Sequence, residues 1–172
     1  DEEWGRPNFE EKYLYEMLIL ESFQAGLSWE CVLNKREDFR KAYDNFDIDK
    51  VCRYDNKKIQ ELLSNEKLIR NKLKINASIN NSKIFKKIQN EYGAFYEYLK
   101  GFTNDKIIYE NDKTTSELSD NISEDLRKRG MKFVGSTIIY SYLQAIGIIY
   151  SHDEECFMNK KASLRSSIKC KF

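Results

Sequence analysis

Three groups of residues have types and spacings that could do chemistry. The first is centred on Glu21. Leu14, Met17, Leu18 and Ala25 share one helical stripe by i+3 and i+4 spacing, and Glu21 falls in its middle, three residues after Leu18 and four after Met17. Burying a lone charge is costly, so a carboxylate there either edges a pocket or is buried against a partner, such as Arg36 or Arg70 on a neighbouring helix. The two tryptophans, Trp4 and Trp29, lie on either side in sequence, and Phe23, Gln24, Gly26 and Leu27 fill the turn between. A carboxylate with flat aromatic walls suits a flat cation, through stacking, cation–π and Coulomb attraction. The competing reading makes both tryptophans ordinary core residues.

The second group is the run from Leu126 through Arg127, Lys128, Arg129, Gly130, Met131, Lys132, Phe133, Val134, Gly135 and Ser136 to Thr137, read as helix, glycine-bounded hairpin, helix. Gly135 allows close backbone approach, and the N–H groups of the following helix start can hold a phosphate without any side chain. Arg127, Lys128, Arg129 and Lys132 add attraction to a phosphate backbone. Such contacts set position and carry no sequence information. A helix–turn–helix joint with a solvated basic face would have the same pattern. In the third group, His152 and Cys156 stand four apart, one helical turn, and could share a metal, but a structural zinc wants four ligands.

The elements that must position these groups are helical almost throughout. Apolar spacing predicts a first helix over about 10–24 ending near Gly26, and a second over 29–43 capped by Ser28. Short helices follow, started by Asp47 or Asp49 and by Asp55. A long amphipathic stretch opened by Asn65 or Glu66 carries Leu68, Ile69, Leu73, Ile75, Ile79 and Ile84, and a further helix covers 93–99. Residues 103–119 are polar and irregular, a linker. Ser123 is placed as the cap of a basic helix over 124–129, and the last helix as 136–150.

Composition sets the bounds. A chain of 172 residues, 41% hydrophobic and 33% charged, can pack one domain and is not disordered; one proline and seven glycines disfavour a many-turned β fold. With a net charge of +1, any nucleic-acid affinity must rest on local clusters. Cys31, Cys52, Cys156 and Cys170 form no disulfide framework, which points to a reducing, cytoplasmic setting. The longest apolar stretch, 138–150, is too short and too polar to span a membrane.

Taken together, these segments resemble the 3-methyladenine DNA glycosylase I family of the helix-hairpin-helix DNA glycosylase superfamily. The resemblance rests on Glu3-Trp4-Gly5-Arg6-Pro7, the run from Leu20 through Glu21, Gln24, Gly26, Leu27 and Ser28 to Trp29, Val32-Leu33-Asn34-Lys35-Arg36 and Phe46-Asp47. It continues through Ile69-Arg70-Asn71-Lys72-Leu73-Lys74-Ile75, the run from Lys128 to Thr137, Gln144-Ala145-Ile146-Gly147, and His152 with Cys156. The pieces keep the family order over nearly the whole chain.

The resemblance implies an all-α helix-hairpin-helix glycosylase fold, two helical lobes with the base pocket between them. It implies a glycosylase domain over residues 1–157, with the helix-hairpin-helix at about 124–150, and a basic, serine-rich tail over 158–172. The implied activity is hydrolysis of the N-glycosidic bond of flipped-out 3-methyladenine in alkylated double-stranded DNA, releasing the free base to start base excision repair. The chain would act as a monomer. Glu21 matches the family's base-contacting glutamate, without needing to be a general base, Trp29 its stacking tryptophan and Trp4 a second aromatic wall. Gln24, Gly26 and Leu27 match the loop that fills the gap left by the nucleotide. Arg129, Gly130, Lys132, Val134, Gly135, Ser136 and Thr137 match the DNA-anchoring hairpin. His152 and Cys156 match two of four ligands of a structural zinc; the other cysteine and histidine, with tyrosines that help wall the pocket, fall before the position of Asp1. Two other readings remain at this stage: a non-enzymatic helix-hairpin-helix DNA-binding module, and a helical protein-interaction domain, which leaves Glu21 unexplained.

Overall fold

The computed structural model describes residues 5–151. Its centre is α1 (Glu11–Gln24), in which every residue from Tyr13 to Phe23 is buried. The apolar stripe read from sequence is therefore part of a helix covered on all sides, as expected of a helix in the middle of a core. Around it lie α2 (Trp29–Leu33), α3 (Arg36–Ala42), a short 3-10 turn (Asp44–Phe46), α4 (Ile48–Val51), α5 (Asn56–Ser64), α6 (Lys72–Tyr92), α7 (Phe95–Thr103), α8 (Glu117–Lys128) and α9 (Ser136–Ala145). Two-residue strands β1 (Ile108–Tyr109) and β2 (Ile149–Tyr150) pair in parallel. No helix among the described residues is long and apolar enough to cross a membrane.

Polar anchors fix how α1 meets its neighbours. Glu16, 5% exposed, accepts from Arg36 Nε at 2.7 Å and from Arg40 Nε at 2.8 Å, tying α1 to α3. Glu11 accepts from the backbone N–H groups of Phe95 at 2.8 Å and Tyr96 at 3.0 Å, so it caps α7 from another helix, where the residue before α7, Ala94, has no side chain to do so. The hydroxyls of Tyr13 and Tyr142 donate to the carbonyls of Ala145 and Leu14, joining α1 to α9.

Several boundaries differ from the sequence reading, each for a local reason. The helix expected over 29–43 breaks after Leu33, where Lys35 takes ψ near 0° and its N–H bonds back to Val32. The long helix opens at Asn71, whose side chain accepts from Lys74 N–H, because Asn65 is used instead to cap a turn at Lys67. It ends at Gly93 with φ of +87°. The basic helix begins at Glu117, not 124: Ser116 and Ser119 form a reciprocal capping box, and Ser123 is buried, donating to Val134 C=O at 2.7 Å. The segment read as a linker thus contains β1 and the first turn of α8.

The last helix stops at Ala145, because Gly147 takes φ of +79° and the chain turns into β2. A Cβ at Gly147 would lie 2.4 Å from Pro7 N and 2.5 Å from Arg6 C, so the 6–7 backbone rests directly on this glycine. Asn8 N–H donates to Ile146 C=O beside it at 3.1 Å. Gly147→Ala therefore combines a left-handed backbone with a main-chain collision. The expected cost is roughly 2–5 kcal/mol, read in a thermal melt as a drop of about 5–15 °C; an unchanged Tm would mean that the 6–7 backbone does not pack there.

Candidate functional site

Glu21 is fully buried, at 0% exposure. Its Oε1 accepts from Ser141 Oγ on α9 at 3.2 Å, and its Oε2 has no hydrogen-bond partner among the described residues. Neither arginine considered for it from sequence is its partner: Arg36 is bound to Glu16, and Arg70 is exposed on the surface. Burial without a cation disfavours the charged form, and the pKa of Glu21 is pushed up to about 8; the Ser141 hydroxyl pulls weakly the other way. Two buried carboxylates five residues apart on α1 thus differ in kind. Glu16 is held between two guanidiniums and serves the fold. Glu21 keeps one oxygen without a partner among the described residues.

The segment after α1 is shaped for exposure. Ala25 leaves the helix, Gly26 takes φ of +78°, and Leu27 N–H turns back to Gln24 C=O at 2.6 Å. This puts Leu27, 40% exposed, at the tip. Ser28 caps α2 by accepting from Cys31 N–H, and Trp29, the first residue of α2, is half-buried against the core. Gln24 is half-buried with its Oε1 enclosed and without a partner among the described residues. The turn is gripped from α6: the Lys74 ammonium donates to the carbonyls of Phe23 at 2.8 Å and Ala25 at 2.5 Å. Lys74 is only 7% exposed, and burial lowers its pKa below the ordinary lysine value. The sequence reading did not single it out, since a lysine at a helix start normally reads as surface.

The hairpin between α8 and α9 is held from two sides. Gly130 turns with φ of +99°, and Met131 N–H bonds to Leu126 C=O. Asn81 on α6, 0% exposed, accepts from Lys132 N–H at 2.9 Å and donates to Lys132 C=O at 2.8 Å; its neighbour Asn80 donates to Gly130 C=O. Val134 is buried and its carbonyl takes the Ser123 hydroxyl. The side chains of Lys132 and Thr137 are left exposed. Ser136 Oγ donates to Asp120 Oδ1 and meets Ser119 Oγ at 2.9 Å. Gly135 has φ of −61°, which any residue adopts, and a Cβ there would meet nothing within 4 Å among the described residues.

Arg129 is occupied within the fold. Its guanidinium bonds Asp125 at 2.8 Å and Glu91 at 2.7 Å, and lies over the rings of Tyr92 and Tyr98 at 5.6 and 5.4 Å. The structure thus brings Glu21, Gln24, Gly26, Leu27 and Trp29 together around the end of α1, with the hairpin fixed to the same α6 that grips this turn.

Trp4, His152 and Cys156 lie outside the described residues. The zinc expected from the resemblance is not supported. Among the described residues no group of three or more His, Cys, Asp or Glu side chains could hold a metal ion, and Cys31 and Cys52 are free thiols. A tetrahedral structural site needs four ligands, and the described residues supply no set to complete it. A shallow cleft of about 590 Å³ opens elsewhere, lined by Asn8, Lys12, Glu16, Arg40 and Asn45 among others; Glu21 is not part of it.

Comparison with known proteins agrees with this arrangement. The family model of methyladenine glycosylase matches residues 1–159. The chain is 38% identical over 162 residues to the DNA-3-methyladenine glycosylase 1 of Escherichia coli, covering 91% of this chain and 87% of that protein. To the DNA-3-methyladenine glycosylase of Haemophilus influenzae it is 36% identical over 163 residues, covering 91% and 88%. Its fold is similar to the 3-methyladenine DNA glycosylase I of Staphylococcus aureus, solved for the structural basis of 3-methyladenine recognition, with a TM-score of 0.87 at 30% identity over 91% of this chain and 87% of that one. A buried carboxylate with one oxygen unpartnered among the described residues, a helix-hairpin-helix held by the helix that grips the neighbouring turn, and this likeness along nearly the whole length lead to one conclusion: the chain belongs to the methyladenine glycosylase family and has its all-helical, helix-hairpin-helix fold.

Proposed function

We infer that this chain is a DNA-3-methyladenine glycosylase, which releases 3-methyladenine from alkylated double-stranded DNA and so starts base excision repair. The observation that carries the reading is Glu21, a fully buried carboxylate with one oxygen unpartnered and no cation beside it among the described residues. A site of this kind is completed by a cationic ligand. Methylation at N3 makes adenine that cation and weakens its bond to the sugar, so the base needs little acid–base help to leave.

The reaction then follows from a few groups. The nucleotide leaves the stack, which costs less for a damaged base. Leu27, at the tip of the turn, enters the gap, with Gln24 and Gly26 beside it. The extruded cation stacks on Trp29, and Glu21 gives up its proton to solvent and faces the cation as carboxylate. The C1′–N9 bond breaks with its electron pair going to N9, so the base departs neutral. Water adds to the cationic sugar carbon and loses a proton to solvent, with nearby phosphates and Glu21 favouring the developing charge.

The hairpin anchors the duplex. The first N–H groups of α9, at Ser136 and Thr137, have no intrahelical acceptor and suit a phosphate oxygen. Gly135 is required neither by φ nor by packing within the chain, which supports close approach of something outside it. Lys132 adds an exposed cation with no ion pair among the described residues, whereas Arg129, bound to Asp125 and Glu91, holds α8 to α6. We place the protein in the cytoplasm, in keeping with its free thiols. A pure DNA-binding module is disfavoured, because phosphate anchoring has no use for Glu21.

The direct test is chromatography of bases released from methylated duplex DNA; free 3-methyladenine is expected, and none at any enzyme concentration would overturn the reading. Glu21→Gln should bind undamaged duplex as the parent does while losing affinity for free 3-methyladenine; equal base affinity would remove Glu21 from this role. The same variant reports the raised pKa. The folded protein holds the Glu21 proton up to about pH 8, while the unfolded chain loses it near the ordinary value of 4.5. The parent should therefore lose stability relative to Glu21→Gln as pH rises through that window, at up to about 1.4 kcal/mol per pH unit; parallel melting curves from pH 4 to 9 would exclude the shift. Lys132→Ala should flatten the salt dependence of DNA binding by about 0.9 in log–log slope. Arg129→Ala should lower Tm and leave that slope unchanged. A slope change in Arg129→Ala alone would reverse the two roles.

A further inference from the structure

On the face of α6 that turns inward, Lys74, Ser78 and Asn81 follow one another at i, i+4 and i+7, and all three are buried. Each holds a different part of the protein. Lys74 takes the carbonyls of Phe23 and Ala25 at the end of α1, Ser78 takes the Tyr43 hydroxyl at 3.0 Å, and Asn81 takes both main-chain groups of Lys132. The Lys74 ammonium also lies 5.9 Å from the ring centroid of Phe133, in the hairpin. A buried amine is costly unless its donors are used, and here they meet helix-end carbonyls that the turn at Gly26 leaves without helical partners. No carboxylate pairs with Lys74 among the described residues; its acceptors are main-chain carbonyls.

We propose that Lys74 is a positioning residue for base release: by gripping the end of α1 and packing on Phe133, it sets the turn that carries Leu27 at a fixed distance from the hairpin that holds the duplex. This rests on the glycosylase reading above. The two DNA-facing pieces are on different elements, and among the described residues no hydrogen bond joins the turn directly to the hairpin. α6 is the element bonded to both. With Lys74 in place, Leu27 meets the gap in register with the anchored backbone. Without it, the duplex still binds to the hairpin and the pocket still holds a base, but extraction from the stack loses its wedge.

The test compares two substrates. A base in single-stranded DNA needs little extraction, so Lys74→Met should slow single-turnover release of 3-methyladenine from methylated duplex by about 10-fold or more, and from methylated single strands by less than about 3-fold. Affinity for free 3-methyladenine should be unchanged. Lys74→Gln, which can still donate to one carbonyl, should show a smaller duplex-specific loss and covers the case in which the methionine variant fails to fold. Equal losses on both substrates, or no loss on duplex, would overturn the proposal while leaving the glycosylase reading intact. A parent chain that releases nothing from either substrate would overturn both.

Discussion

The cost of placing carboxylates inside protein governs this molecule. α1 is buried along its length, yet it carries two glutamates into the core. At Glu16 the cost is met by two arginines from α3, and removing such a partner typically costs about 3–5 kcal/mol. At Glu21 it is met only in part, by one serine hydroxyl and by holding the proton. The first arrangement orders α3 against the central helix. The second leaves one buried oxygen without a partner among the described residues, the deficit that the proposed cationic base would remove. On the proposed reading, stability is given up at the site where selectivity is needed, a common trade in enzymes.

The surrounding helices can be understood as the frame that keeps this deficit in place. α9 supplies Ser141 to Glu21 and Tyr142 to the α1 backbone, and its first turn opens on the hairpin. α6 reaches from the turn after α1 to the hairpin as one helix of 21 residues, about 30 Å long. Glu21 and the hairpin are therefore tied to the same two helices, α6 and α9.

Much of this was legible in the sequence, and the misses share a cause. Glu21 was visible because a charge on an apolar stripe conflicts with hydrophobic burial. The turn at Gly26, the hairpin between Gly130 and Gly135 and the all-helical class were visible through glycine placement and period. What sequence did not disclose was the polar interior. Leu73 was counted among the apolar positions of the long helix and Lys74, Ser78, Asn81 and Ser82 were not; in the fold Leu73 is 72% exposed and the four polar residues are buried. Hydropathy sees side chains, not the main-chain acceptors and hydroxyls that await them from distant segments. That Arg129, expected to attract a phosphate backbone, is also bonded to Asp125 and Glu91 was hidden for the same reason, since these acids lie on two helices. The β1–β2 pairing, two residues a side, is too short to leave any alternation.

The hold of Asn81 on Lys132 has a consequence for how this surface can change. Both bonds go to the main chain of Lys132, one to its N–H and one to its C=O, and neither involves the lysine side chain. The hairpin's path is therefore insensitive to which residue stands at 132, while its charge is open to variation. Shape and charge at this surface are under separate control. If this hairpin is the proposed DNA anchor, drift or redesign can retune how strongly the protein clings to any stretch of DNA, one cation at a time, without moving the loop that Asn81 holds.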